Sequence, residues 1–141
     1  MGYFLLSFFL FYALLHLYAF LKARAALAFS GRAAAGLAFF MLLMTIAPLM
    51  VRLAEQQGFD GLARLMAFVG YSWLGFTFLF VSAALPIDVC RLTVYAAGAI
   101  RRRDLTMVWL TARPAFLLPL GIALVIGVYG YFEALLSGPK D

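Results

Sequence analysis

Few side chains in this sequence can do chemistry, and His16 is the only histidine. It lies in the run "LLHLYAFLKARAAL", six residues before Lys22, or roughly 9 Å away along a helix. Haem ligation by two histidines needs a partner that the chain lacks, and a metal site needs several ligands. We therefore expect His16 to form a hydrogen bond with another helix or with lipid headgroups.

The carboxylates lie outside the middle of every apolar run. Asp88 precedes Arg91 by three residues, a spacing that puts both on one helix face and predicts an interfacial ion pair. A proton relay between His16 and Asp88 is the alternative. Glu133 follows two tyrosines that are typical of a membrane-interface belt. We predict a solvated end residue there, with contact to an attached domain as the alternative.

The stretch "GYSWLGF", residues 70–76, is the most polar patch inside an apolar run. Its glycines allow close helix approach, and Ser72 can hydrogen-bond across a helix contact. We predict that Ser72 and Trp73 belong to a helix–helix core; a ligand pocket is the alternative. The sequence has no P-loop, HExxH motif, paired carboxylates or cysteine–histidine pair. We therefore expect no catalytic, cofactor-binding or metal-binding residues.

The composition requires a lipid environment for the elements that position these residues. Of 141 residues, 67% are hydrophobic and 12% are charged, and the mean hydropathy is +1.03. Soluble domains are about half apolar and about one quarter charged. The net charge is +5, but the basic residues do not form the basic–aromatic surface that proteins use to bind nucleic acid, so we exclude nucleic acid as a partner.

Four uninterrupted apolar runs are long enough to span a bilayer, which takes about 20 residues per helix. Period-two alternation is absent, so the predicted class is all-α, an integral membrane four-helix bundle. The stretch "DVCRLTVYAAGAI" after the third run either continues that helix or lies flat on the membrane. Gly58 and Gly61 are predicted turn residues, and Pro48, Pro86 and Pro119 are predicted to kink or end helices. The predicted spans are residues 2–21, 33–51, 65–87 and 114–132.

The charges predict the orientation of these spans, because basic loops stay in the cytoplasm. The first and third connections carry eight basic and two acidic residues, and the rest of the chain has three basic and four acidic ones. Both termini are thus predicted to be periplasmic, in a bacterial inner membrane. The basic residues act as a topology signal or, alternatively, bind anionic lipid. The candidate lipid contacts are Lys22, Arg24, Arg101, Arg102 and Arg103.

Several segments together resemble the membrane portion of bacterial transmembrane metallophosphoesterases. They are "LLHLYAFLKARAAL", "APLMVRLAEQQGF", "ARLMAFVGYSWLGFTFLF", "LPIDVCRL" and "RPAFLLPLGIALVIGVYGYFEA". The resemblance runs from His16 to Ala134, and "VYGYFEA" is its most telling part. It implies a phosphoesterase domain, fused after Ala134 or separate, on the outer side. The Asp-x-His, Gly-Asp, Gly-Asn-His-Asp/Glu and Gly-His-x-His motifs of that family are absent, so no catalytic residue can be assigned.

We accordingly expect a non-catalytic membrane anchor, with a four-span domain at residues 1–134 and a short tail at 135–141. It would hold a periplasmic metallophosphoesterase domain or partner near lipid-linked substrates. One alternative is a small structural subunit of a larger membrane complex, which would co-purify with partners. Another alternative is a four-helix transporter, acting alone or as a homo-oligomer, although the mid-membrane carboxylate usual in cation carriers is missing.

Overall fold

The fold is known from a computed structural model that describes residues 2–101 and 111–136. Helices make up 94% of it, and no strand occurs in these two ranges. The predicted all-α class is therefore confirmed. The four helices are α1 (Gly2–Leu27), α2 (Gly31–Gln56), α3 (Asp60–Arg101) and α4 (Ala112–Leu136).

All four helices are long and apolar enough to cross a membrane, judged by length and composition. Each predicted span lies inside one of them. The ambiguous stretch after the third span continues α3, which is 42 residues long. At 1.5 Å per residue α3 measures about 63 Å, twice the apolar thickness of a bilayer, about 30 Å.

The turns and prolines correct two details of the sequence analysis. Gly58 adopts φ +76° in the turn between α2 and α3, as expected for a turn glycine. Gly61 instead lies in the first turn of α3. Pro48, Pro86 and Pro119 lie inside α2, α3 and α4, so none of them ends a helix. Neighbouring helices can compensate for the backbone hydrogen bond that a proline removes, which makes internal prolines tolerable in apolar bundles.

The helices form a bundle in which α1 and α3 each pack against both α2 and α4. In the described residues α1 and α3 also touch each other across the bundle, whereas α2 and α4 share at most a marginal contact. Small side chains occupy the tightest contacts: Ala84, Ala115 and Ala123 are completely buried. Such residues let helix backbones approach closely, which is how helices associate when the solvent is itself apolar.

The outer surface of the bundle is apolar. Leu92 and Val125, for example, are each 70% exposed, and Phe39 is 63% exposed. Soluble monomers rarely present apolar patches beyond a few hundred Å². Large hydrophobic side chains on the outside and alanines on the inside are the arrangement expected of a bundle surrounded by lipid.

One close helix contact gives a test of this packing. A Cβ atom at Gly70 would lie 3.2 Å from the Cβ of Ala47 on α2, whereas one at Gly75 would meet nothing within 4 Å. We expect Gly70→Leu to push α2 and α3 apart and to lower the free energy of unfolding by about 2 kcal/mol. Thermal denaturation in mild detergent measures this loss.

Gly75→Leu is the matched control, because it makes the same exchange on the same helix and gains the same helix propensity. We expect it to leave the midpoint unchanged or slightly raised. Equal midpoints for the two variants would contradict the close approach of α2 and α3 at Gly70.

Candidate functional site

The strongest polar cluster is built around the carboxylate of Asp88 on α3. The Lys22 ammonium on α1 lies 2.5 Å from its Oδ1. The Tyr18 hydroxyl donates to Oδ2 at 2.5 Å. Arg91, one turn further along α3, lies 3.3 Å from Oδ1. Asp88 therefore makes the predicted pair with Arg91 and, in addition, joins α3 to α1.

The two α1 residues of this cluster are spaced one helical turn apart, so both reach the same carboxylate. Lys22 Nζ also lies 3.4 Å from the Tyr18 hydroxyl. The Lys22 side chain is only 8% exposed and that of Asp88 is 31% exposed. A nearly buried ammonium needs such a partner, because an unpaired charge in an apolar setting is costly. The lipid contact predicted for Lys22 stays a prediction.

A second polar link joins α1 and α3 at His16, which is 4% exposed. The indole Nε1 of Trp73 donates to His16 Nε2 at 2.9 Å, and His16 Nδ1 lies 2.9 Å from the Tyr12 carbonyl oxygen. An indole N–H can only donate, so Nε2 accepts and Nδ1 carries the proton. His16 is thus neutral, with both ring nitrogens engaged, and it makes the interhelical hydrogen bond that the sequence analysis expected.

The rings around this link form an aromatic layer inside the bundle. The centroids of Trp73 and Phe40 are 4.8 Å apart in an edge-to-face arrangement, and those of Tyr12 and His16 are 4.4 Å apart. The Tyr12 hydroxyl is buried and has no hydrogen-bond partner in the described part of the chain. Ser72, next to Trp73, is exposed. The layer is therefore mainly a packing unit, with one hydrogen bond crossing it.

An apolar cavity of about 230 Å³ lies among all four helices. Its wall is almost entirely carbon, and Thr77 is a buried polar residue in it. Leu27, the last residue of α1, is the exposed residue among those that line it, and we call the end of the cavity beside Leu27 its mouth. Its main lining residues are Ala19, Ala23, Met41, Trp73, Phe80 and Phe116.

Basic residues collect at the same end of the bundle as the mouth of the cavity. Arg113 Nε, at the start of α4, donates to the Ala26 carbonyl at the end of α1 at 3.3 Å. Arg24 and Arg32 are exposed on either side of the turn between α1 and α2. The structure therefore places Arg24 and Arg32 of the first connection and Arg113 of the third at one end of the bundle.

The remaining predicted residues lie elsewhere. Glu133 is exposed near the end of α4, beside the exposed rings of Tyr129 and Tyr131. Arg101 is the last residue of α3. Arg102 and Arg103 lie outside the described residues, as does the tail beyond Leu136.

The described ranges, 2–101 and 111–136, contain no group of three histidine, cysteine or carboxylate side chains that could hold a metal ion. No protein-family model, curated protein or solved structure matches the chain. The resemblance to the membrane portion of metallophosphoesterases therefore stays a prediction.

The Asp88 cluster gives a test by charge removal. We expect Asp88→Asn to lower the free energy of unfolding by about 3 kcal/mol, because it leaves the Lys22 ammonium nearly buried without a countercharge. Adding Lys22→Met to Asp88→Asn should recover at least half of that loss, since the stranded charge is then gone. Denaturation in detergent measures all the variants. Arg64→Gln, an exposed charge near the start of α3, is the control and should change little. Additive losses for Asp88→Asn and Lys22→Met would contradict the pairing.

The His16 link gives a second test. We expect Trp73→Phe, which keeps an aromatic ring, to lower the free energy of unfolding by about 1 kcal/mol. His16→Leu leaves the indole N–H without an acceptor and should lower the free energy of unfolding by about 2 kcal/mol. The double variant should lose less than the sum of the two. Tyr12→Phe is the control on the same layer, and it should be neutral or stabilising because the Tyr12 hydroxyl makes no hydrogen bond to the described residues. Losses that simply add would argue against the hydrogen bond between His16 and Trp73.

Proposed function

We propose that this chain is a non-catalytic, multi-pass anchor in the bacterial inner membrane, with both ends on the periplasmic side. In that role it holds a periplasmic domain or partner close to the membrane surface. The four helices are long and apolar enough for four spans. The bundle presents large hydrophobic side chains outward. Both features suit a protein whose solvent is lipid.

The observation that carries the proposed orientation is the charge difference between the two ends of the bundle. Among the described residues, the end where α1 meets α4 and beyond which α3 continues has six basic residues and a single acidic one, Asp88. The basic residues are Lys22, Arg24, Arg32, Arg91, Arg101 and Arg113. Translocation of short basic connections is disfavoured, so this end stays in the cytoplasm. The start of α1 and the end of α4 are then periplasmic.

The polar residues fit an anchor better than a transport pathway. Asp88 is engaged by two donors on α1 and by Arg91, and it lies just past the predicted third span rather than at its centre. His16 has both ring nitrogens occupied. Carriers of cations expose ionisable groups to a water-filled route near mid-membrane. In this chain the same residue types are used to hold α1 and α3 together.

The nature of the partner is proposed from the resemblance to transmembrane metallophosphoesterases alone. In such a pairing the hydrolase would supply all metal ligands, and the bundle would hold the hydrolase at the membrane surface. The exposed Glu133, Tyr129 and Tyr131 near the end of α4 would lie at the periplasmic surface. Tyrosines favour that depth because their rings are apolar and their hydroxyls reach water. A substrate with a lipid tail and a phosphoester headgroup would then be within reach of the partner.

The orientation is tested with reporter fusions in a bacterial host. We expect alkaline phosphatase fused after Asp141 to be active and green fluorescent protein at the same place to be dark. Insertion of the reporters after Ser30, in the turn between α1 and α2, should give the reverse pattern. Fluorescence from the fusion after Asp141 would refute the periplasmic C-terminus. Separately, the purified chain with Mn²⁺ should not cleave a phosphodiester; robust turnover would overturn the non-catalytic part of the proposal.

A further inference from the structure

The cavity among the four helices combines three features that point to a particular ligand. It is apolar, it extends about 12 Å along α1 from Ala19 to its mouth at Leu27, and that mouth lies at the basic end of the bundle. An apolar cavity is not stabilised by water and accepts hydrocarbon. We infer that it takes one acyl chain of an anionic phospholipid from the cytoplasmic leaflet. This inference rests on the membrane insertion in the proposed function.

The residues at the mouth explain why an anionic lipid is favoured over a neutral one. Arg24 lies one turn before Leu27, so both share a face of α1. Arg113 is held at the neighbouring Ala26 carbonyl. Arg32 follows Phe29, another lining residue, by three positions. The negative charge of Asp88 is already shared by Lys22 and Arg91, so the mouth keeps a net positive charge for a phosphate headgroup.

The residues at the inner end of the cavity limit how far an acyl chain can enter. Trp73 lines the cavity and is fixed by its hydrogen bond to His16. Phe80 and Phe116 line the wall nearer the mouth, and their ring centroids are 5.5 Å apart in an edge-to-face contact. The volume of about 230 Å³ holds part of one acyl chain and excludes a headgroup. The lipid would therefore enter tail first through the mouth, with its phosphate among the arginines.

Trp73 provides a built-in reporter for this site. The chain has two tryptophans, so Trp109→Phe leaves Trp73 as the only tryptophan, which is excited selectively over tyrosine at the red edge of its absorption. The full chain is placed in nanodiscs that contain phosphatidylglycerol and phosphatidylcholine, one of which carries brominated acyl chains that quench tryptophan on contact. We expect Trp73 to be quenched several-fold more efficiently by the brominated anionic lipid than by an equal fraction of the brominated neutral lipid.

Two kinds of variant test the two parts of the site. Ala23→Leu fills the cavity and should abolish the lipid preference. Arg24→Gln and Arg32→Gln, which leave the core untouched, should each bring quenching by the two lipids close to equal, because about 1 kcal/mol per arginine is about fivefold in affinity. Circular dichroism verifies that each variant remains helical. Equal quenching by the two lipids, or a preference that survives both kinds of variant, would overturn the inference.

A displaced tryptophan separates failure of the site from failure of membrane insertion. In the variant with Phe78→Trp, Trp73→Phe and Trp109→Phe, the fluorophore sits at a position that is 55% exposed on the outside of α3. We expect it to be quenched equally by both brominated lipids. Quenching at position 78 without a preference at Trp73 refutes the lipid site alone. No quenching at either position refutes the proposed membrane insertion as well.

Discussion

The contact between the Asp88 carboxylate and the Lys22 ammonium is the interaction on which the arrangement of the bundle depends. A lysine side chain only 8% exposed cannot stay charged in an apolar bundle without a partner. Asp88 provides it, and Tyr18 donates to the other oxygen of the same carboxylate. Alanine contacts between apolar helices hold them close but specify their register weakly, because one small residue resembles the next. The charge pair between Lys22 and Asp88 is compatible with far fewer registers of α1 against α3.

The second polar link makes the register of α1 against α3 specific at two levels. Tyr18 and Lys22 reach Asp88, while His16, on a different face of α1, accepts from Trp73. Sliding α1 by one residue would break both links at once and strand a charge and an indole N–H. Ala19 and Ala23, on the same helix, leave the space that becomes the cavity. The long polar side chains of α1 thus bind α3, and its alanines leave the space for the cavity.

The sequence predicts the elements of this protein better than their arrangement. Run length alone located the four helices, and local spacing predicted the Asp88–Arg91 pair. Tyr18 and Lys22 lie 70 and 66 positions from Asp88, and these helices are apolar on every side, so no amphipathic stripe indicates which face turns inward. The available signal was depth, since Lys22 and Asp88 both fall at the predicted cytoplasmic end of their spans. The sequence analysis nevertheless predicts only a lipid contact for Lys22, and no local spacing indicates its contact with Asp88. Pro86 suggested a kink or an end, yet α3 continues beyond it.

The length of α3 adds a constraint that connects fold and orientation. The helix measures about 63 Å at 1.5 Å per residue, and even a tilt of about 40° leaves about 48 Å along the membrane normal. That exceeds the apolar core of about 30 Å and also the full bilayer of about 40–45 Å. In the proposed orientation α3 must therefore leave the apolar layer at its basic end, beyond Asp88. The Asp88–Lys22 pair then lies at the boundary where α3 leaves the lipid, a depth at which paired charges cost less than at the membrane centre. At this depth the charged pair can fix the register of the two apolar helices, and neither charge has to lie at the centre of the membrane.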